Sequence, residues 1–189
     1  MVEWLIVPCA YLIGSISSAI IICRLMGLPD PREQGSGNPG ATNVMRIGGK
    51  KAAAITLLGD MLKGLIPVYA VNALGLPVEL VAATGLAAFM GHLYPIFFDF
   101  KGGKGVATSV GVLLGFSWML GLAFMATWFM VYKLGKISSL SALVASILSP
   151  VFAWFLVTDK AIVSVSVVMM IFLLWRHKSN IQRLMAGKE

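Results

Sequence analysis

Apolar runs separated by short polar breaks divide the chain into seven segments. The first runs from about Trp4 to Leu25 with Arg24 near its end, the second from about Ala52 to Leu74, and the third from about Val78 to Phe98. The fourth, Val106 to Leu114, is short, and Gly115-Phe116-Ser117 separates it from a fifth that reaches about Tyr132. Ser138-Ser139-Leu140-Ser141 opens a sixth that ends near Val157, and a seventh follows the Thr158-Asp159-Lys160 turn to Trp175. Several of these approach or exceed the ~18–20 apolar residues that a helix needs to cross a bilayer. Pro8 and Gly14 inside the first are tolerated in membrane helices. The pattern predicts an all-α fold: a polytopic integral membrane protein of seven transmembrane helices forming a single domain. The fourth segment is expected to tilt or to thin the bilayer locally.

Composition agrees. Of 189 residues, 58% are hydrophobic and 12% charged, and the mean hydropathy is +0.87. A soluble domain carries about twice that charge fraction. The first segment has no basic leader and no small-residue cleavage site, so it is read as a retained helix, not a cleavable signal. Cys9 and Cys23 would lie about 21 Å apart on one continuous helix, too far for a disulfide. No metal-ligand spacing is present, and neither a metal nor a cofactor is expected.

Charge placement adds an orientation. Arg24, Arg32, Arg46, Lys50 and Lys51 flank or occupy the polar stretch from Gly27 to Lys51. Lys101, Lys104, Lys133 and Lys136 fall in alternate later turns, and Arg176, Lys178, Arg183 and Lys188 in the tail. These are 13 of the 15 basic residues, and seven crossings put all of them on one side. The positive-inside rule makes that side cytoplasmic, with the N-terminus outside and the C-terminus inside. The net charge of +7 then reflects orientation and attraction to anionic lipid or substrate, and nucleic acid is not expected as a partner.

The same face gathers the candidate chemistry. Asp99-Phe100-Lys101-Gly102-Gly103-Lys104-Gly105-Val106-Ala107-Thr108-Ser109 places three glycines within four positions. Glycine makes φ > 0 available, so successive amides can form an anion-binding nest that opens a helix, with Lys101 and Lys104 supplying charge. It is not a nucleotide P-loop, which needs another glycine spacing and a hydroxyl after the lysine. The alternative is a flexible cationic turn. In the first polar stretch, Ser36, Asn38, Thr42 and Asn43 offer neutral hydrogen bonds among Gly35, Gly37 and Gly40, and Arg46 offers a bidentate fork for phosphate. This stretch is either one wall of a polar pocket or a turn-rich loop that caps a helix at Thr42 or Asn43. Ser138, Ser139 and Ser141 read first as helix N-caps and second as hydroxyls at the phosphate surface.

Asp60 and Lys63, three residues apart inside the second segment, share a helix face. Buried charges usually meet a polar cavity or a partner, and a structural ion pair within the bundle is the simpler reading. His92 reads as a hydrogen-bonded interface residue. No Ser-His-Asp arrangement is legible, and the H-x-x-x-x-D signature of thioester-dependent acyltransferases is absent, because Phe97 and Gln182 stand where His92 and His177 would need the aspartate. A site rich in phosphate binders and poor in acid–base groups suits a substrate that carries its own activation. An acyl phosphate is such a substrate, and the protein then mainly orients and stabilises charge. A transporter of phosphate-bearing anions is the competing reading. It would need a polar path to the outer face, where only Asp159 and Lys160 lie.

Gly35 to Arg46, the Lys101–Thr108 loop and Arg176-His177-Lys178-Ser179-Asn180-Ile181-Gln182-Arg183-Leu184 with Gly187 and Glu189 resemble, in order, the three motifs of the bacterial PlsY family. These are the acyl-phosphate:glycerol-3-phosphate acyltransferases of the cytoplasmic (inner) membrane. The resemblance spans the chain. It implies transfer of a fatty acyl group from acyl phosphate to the 1-hydroxyl of glycerol 3-phosphate, giving lysophosphatidic acid and inorganic phosphate in the first step of phospholipid synthesis. It also implies no thioester as direct donor and no metal, and is compatible with a functional monomer. Carried over by position, it implies that Ser36, Arg46, Lys104, His177 and Asn180 carry the catalysis. Gly102, Gly103 and Gly105 would form the glycerol-phosphate loop, with Gly37, Asn38, Thr42, Thr108, Ser139 and Ser141 as further binding positions. His177 is either a general base or an orienter of the hydroxyl, and Glu189 is structural.

Overall fold

A computed structural model describes residues 2–189 and is all-helical among them. Each apolar segment is recovered as helix. A 3-10 turn at Val2–Leu5 leads into α1 (Ile6–Gly14) and α2 (Ser18–Leu25), followed by α3 (Ala41–Ala73), α4 (Val78–Leu93), α5 (Val106–Phe116), α6 (Trp118–Gly135), α7 (Ser138–Leu156), α8 (Lys160–Arg176) and α9 (Lys178–Met185). Four segments are by themselves long and apolar enough to span: α3, Val78–Phe98, α6 and α7. Two bent pairs qualify only together: the first segment, bent by 41° between α1 and α2, and α8 with α9, bent by 61°. The fourth segment, α5, has 11 residues, about 16 Å of helix against a hydrocarbon core of about 30 Å. Its shortness has a local cause. The residues before it form the glycine loop, and Ser117 after it is extended (φ −159°, ψ 131°), so α6 restarts at once.

The polar stretch is not loop throughout, because α3 begins at Ala41 and runs for 33 residues. Gly49, with φ 74° and ψ −171°, breaks it. That backbone geometry is open to glycine at little cost, and it separates a short amphipathic start carrying Arg46 from the spanning part. Glycine also draws the helices together. A Cβ on Gly111 of α5 would overlap the Met61 carbonyl of α3, and one on Gly14 of α1 the Ala88 carbonyl of α4. Small residues at such crossings let backbones approach where lipid supplies no hydrophobic drive. The core is built on Phe89, Leu93, Val112, Leu113, Leu120 and Phe124. At the far end, Asn72 Nδ2 donates to the Gly115 and Phe116 carbonyls (3.0 and 3.3 Å), which end α5 without helical partners.

Two local expectations are corrected. Neither Thr42 nor Asn43 caps a helix: Gly40 is the N-cap, and no side chain bonds there. The serines that open α7 are not caps either. Ile137 holds that position, the Ser141 hydroxyl donates back to the Ile137 carbonyl (2.9 Å), and the Ser139 hydroxyl to Glu189 Oε1 (2.6 Å).

Candidate active site

The first polar stretch folds around Asn43. This side chain, 1% exposed, accepts from the Ser36 amide (2.9 Å) and donates to the Pro31 and Gln34 carbonyls (2.9 Å each). Fully committed and placed in the first turn of α3, it holds the Pro31–Ser36 backbone, and Ser36, Asn38 and Thr42 face a cavity of about 430 Å³. Across that cavity stand Lys104, Gly105, Ser139 and His177, with Asp60 and His92 also on its wall.

Gly105 is the N-cap of α5 with φ 92°. Helix geometry leaves the first amides of α5 without intrahelical acceptors, and no side chain caps them. Val106 and Ala107 line the cavity, so the helix N-terminus forms an anion-binding end there. The rest of the glycine loop differs from the nest expected. Neither Gly102 nor Gly103 has a positive φ, and the Gly103 amide is already spent on the His92 carbonyl (3.2 Å). These two glycines serve close packing. A Cβ on Gly102 would overlap the His92 carbonyl, and one on Gly103 would overlap the His92 ring.

From the other side Arg176 holds the loop, Nη2 donating to the Gly102 carbonyl (2.6 Å) and Nε to the Gly103 carbonyl (3.1 Å). Its guanidinium also lies 5.8 Å from the centre of the Tyr94 ring. Outward carbonyls bound to Arg176 leave the Lys104–Ala107 side of the loop facing the cavity. Asn43 and Arg176 thus hold the loops of the site, a role the motif reading did not assign: it took the first as one neutral side chain among several and the second as a tail charge within the third motif.

The tail closes the polar end. Lys104 Nζ donates to Asn180 Oδ1, and Asn180 Nδ2 donates to Glu189 Oε1 (2.6 Å), which also accepts from Ser139. Arg183 Nε donates to Glu189 Oε2 (2.6 Å). Burial alone would raise the Glu189 pKa, but the bonds from Ser139, Arg183 and Asn180 hold it down to about 2. The Lys104 ammonium is shifted downward from its ordinary value, by burial first and then by Arg183, Arg176 and Arg46, with Glu189 opposing. His177, at the bend that follows α8, is 3% exposed. Its Nδ1 lies 2.8 Å from the Leu173 carbonyl; a carbonyl only accepts, so Nδ1 carries the proton and Nε2 is left as an acceptor. Burial pushes the imidazole down to about 4, which keeps it neutral near pH 7.

Not every motif residue meets in the cavity. Arg46 is exposed on α3. The Thr108 hydroxyl is committed to the Asp60 carbonyl (3.0 Å) and Ser141 to Ile137. Gly37, Gly102 and Gly103 support the loops rather than line the cavity. Asp60 and Lys63 form the expected ion pair, 2.8 Å apart, although Asp60 also reaches the cavity wall. No group of three His, Cys, Asp or Glu side chains is placed to hold a metal among the described residues.

The cavity continues beyond this polar end as an apolar arm lined by Leu57 and Met61 of α3, Val110 of α5, and Phe124, Met125, Trp128 and Phe129 of α6. Leu57, Met125 and Phe129 are also 49%, 42% and 53% exposed on the outer surface of the bundle, so the arm opens sideways toward lipid.

Comparison with known proteins agrees with this arrangement. Residues 4–187 match the family model described as glycerol-3-phosphate acyltransferase. A glycerol-3-phosphate acyltransferase of Methylococcus capsulatus is 56% identical over 188 residues, covering 100% of this chain and 95% of its own length. That of Hydrogenovibrio crunogenus is 58% identical over 181 residues, 95% of this chain and 87% of its own. The crystal structure of PlsY, an integral membrane glycerol 3-phosphate acyltransferase, in its glycerol 3-phosphate form superposes with a TM-score of 0.95 at 38% identity, covering 100% of this chain and 94% of that one. Its lysophosphatidic acid form gives 0.92 at 37%. This chain belongs to the glycerol-3-phosphate acyltransferase family, the integral membrane acyltransferases of which PlsY is one.

Proposed function

We propose that this protein transfers a fatty acyl group from acyl phosphate to the 1-hydroxyl of glycerol 3-phosphate, releasing lysophosphatidic acid and inorganic phosphate. The observation that carries this reading is the two-part cavity: a cationic, hydrogen-bonding end continuous with an apolar arm that opens laterally between α3 and α6. An amphiphile with a phosphate head and a hydrocarbon tail fits it. Relatives named for glycerol 3-phosphate, and a neighbour with glycerol 3-phosphate and lysophosphatidic acid forms, support the choice of acceptor and product.

The chemistry follows from what the site has and lacks. The hydroxyl oxygen attacks the acyl carbonyl carbon, the carbonyl carbon's bond to the phosphate oxygen breaks, and the hydroxyl proton passes to a phosphate oxygen. Lys104 and the α5 amides hold one phosphate, and Ser36 with Arg46, whose long side chain is free to swing in from the surface of α3, steady the other phosphate or the carbonyl. Asn180, itself held by Glu189, and neutral His177 orient the glycerol. A histidine held near 4 is a weak base at neutral pH, which favours His177 as an orienter whose Nε2 accepts from the hydroxyl.

The charge distribution supports an active site on the cytoplasmic face of a bacterial inner membrane, with the N-terminus outside. A single catalytic domain working as a monomer is part of the same reading. The test is phosphate release by purified protein in detergent given acyl phosphate and glycerol 3-phosphate. Release that needs both substrates and Lys104, with no lysophosphatidic acid formed when acyl-CoA replaces acyl phosphate, is the expected result. Lysophosphatidic acid formed from acyl-CoA, or no phosphate release from folded protein, overturns the reading.

A further inference from the structure

The acyl transfer described above leaves a row of buried polar side chains on α3 and α4 without a task. Asp60, Lys63 and His92 are 2%, 6% and 7% exposed. Lys63 Nζ donates to the Ile16 carbonyl (2.7 Å), which is free because the first span breaks between α1 and α2. The same ammonium lies 2.8 Å from Asp60 Oδ1, and His92 Nδ1 lies 3.7 Å from that oxygen on the other side. His92 Nδ1 is fully enclosed and has no hydrogen-bond partner. A charge row of this kind is costly at membrane depth. A mere bolt between helices would not need its last member to reach the cavity wall, as His92 does.

His92 meets the glycine loop in three ways. Its carbonyl accepts the Gly103 amide (3.2 Å). The same carbonyl occupies the space a Cβ on Gly102 would need, and the Nε2 edge of its ring occupies that of a Cβ on Gly103. Since neither glycine has a positive φ, this packing is the reason glycine stands at both positions. Arg176 presses the loop from outside through the two carbonyls, and His92 supports it from beneath.

We propose that His92 is a positioning residue for the phosphate-binding loop, held in register by Asp60 and Lys63. The row Lys63–Asp60–His92 thereby sets the affinity of the loop for the phosphate of its substrate. The choice of glycerol 3-phosphate as probe rests on the acyltransferase reading; the role of His92 under the loop rests on the contacts alone.

The test measures binding of glycerol 3-phosphate, and separately of inorganic phosphate, to purified protein by calorimetry without acyl donor, alongside steady-state kinetics. The variants are His92→Gln, His92→Ala, Asp60→Asn, Gly103→Ala and the double variant Gly103→Ala/His92→Ala. His92→Gln and Asp60→Asn should each weaken phosphate binding and raise KM about tenfold, as the loop loses its packed support from beneath. kcat at saturation should change by less than about threefold, since uniform binding alone is lost. Gly103→Ala should weaken binding similarly, yet add little to His92→Ala, because the ring it would strike is gone and only the Pro39 carbonyl, 3.0 Å away, remains close to the new Cβ. Additive losses in the double variant, or kcat falling at unchanged KM, would overturn the proposal. If the alanine variants do not fold, unchanged affinity in the near-isosteric His92→Gln and Asp60→Asn does so instead. A wild-type protein that binds inorganic phosphate but transfers no acyl group would sink the acyltransferase reading alone, and the variants' phosphate affinities would still decide the role of His92.

Discussion

The Arg176 guanidinium at the end of α8 donates to the Gly102 and Gly103 carbonyls, 74 and 73 residues earlier in the chain. One side chain thereby fixes the loop that carries Lys104 to the helix that carries His177. The two bonds need a planar fork with separate donors, which a lysine lacks. Arg176→Lys should therefore keep the charge and lose the geometry. Bonds from charged donors contribute about 1.5–3 kcal/mol each, so kcat/KM for glycerol 3-phosphate should fall roughly 10–100-fold. Steady-state kinetics checks this; a lysine variant with wild-type kcat/KM would mean that the loop holds its shape unaided.

Glu189 links Ser139, Asn180 and Arg183, and its carboxyl is held at about 2 against an ordinary 4.5. A carboxylate depressed in the folded state stabilises fully above its unfolded value, and that stability is lost as pH falls through the folded one. The wild type should melt above Glu189→Gln at neutral pH, and the gap should close as pH drops from 4.5 toward about 2. Thermal midpoints in detergent across that range give the answer, and a gap independent of pH would show that the charge is not what matters.

His177 gives a pH prediction of a different kind. With its imidazole lowered to about 4, the neutral form persists well below the ordinary histidine range. The kcat profile should therefore show no inflection near the ordinary histidine value of about 6.5. His177→Gln, which keeps a hydrogen-bonding side chain, should retain more activity than His177→Ala. A wild-type inflection near 6.5 that vanishes in His177→Gln would instead identify a titrating base.

What was legible in the sequence, and what was not, divides along physical lines. Apolar runs announce helices, so all seven segments appear as helix, but only four are long enough to span alone, two more as bent pairs, and α5 is short as its run is short. The Asp60–Lys63 pair was legible because i, i+3 spacing is local. The glycines of the loop were legible as a motif but misread as to cause. A glycine needed for positive φ and one needed because a histidine ring abuts it look the same in one dimension, and only Gly105 is of the first kind. The Arg176 contacts and the Ser139–Glu189 bond, 50 residues apart in sequence, are tertiary facts with no local spacing to betray them.

Asn43 is the least exposed polar residue among those holding the first motif. It makes three hydrogen bonds that no water can replace at 1% exposure. Asn43→Ala removes all three and leaves the Ser36 amide and two carbonyls to find new partners. At about 1 kcal/mol per bond, more for groups left buried, the loss is about 3 kcal/mol. The thermal midpoint should fall, and activity should fall with it as Ser36 loses its place. Asn43→Asp keeps the acceptor for Ser36 but loses both donations, so it should recover little; full activity in the aspartate variant would show that the amide's donor bonds are dispensable.

The apolar arm makes the last prediction, on the donor rather than the acceptor. From Phe124 to Phe129 on α6, and from the N-cap Gly105 to Val110 on α5, the lined stretch spans about five residue steps, about 7.5 Å of rise. Leu57, Met125 and Phe129 are open to the outside along it. Only the first part of a long acyl chain is then enclosed, and the rest lies in lipid. Each enclosed methylene is worth about 0.8 kcal/mol, whereas a methylene that passes from bilayer to bilayer is worth nothing. Donor affinity should therefore rise with chain length over the first carbons and then level off when measured in a constant lipid background. Met61→Trp, which fills the arm near Val110, should raise KM for a long-chain acyl phosphate more than for a short-chain one and leave KM for glycerol 3-phosphate unchanged. A wild-type profile that peaks sharply at one long chain length would mean that the arm closes around the whole tail.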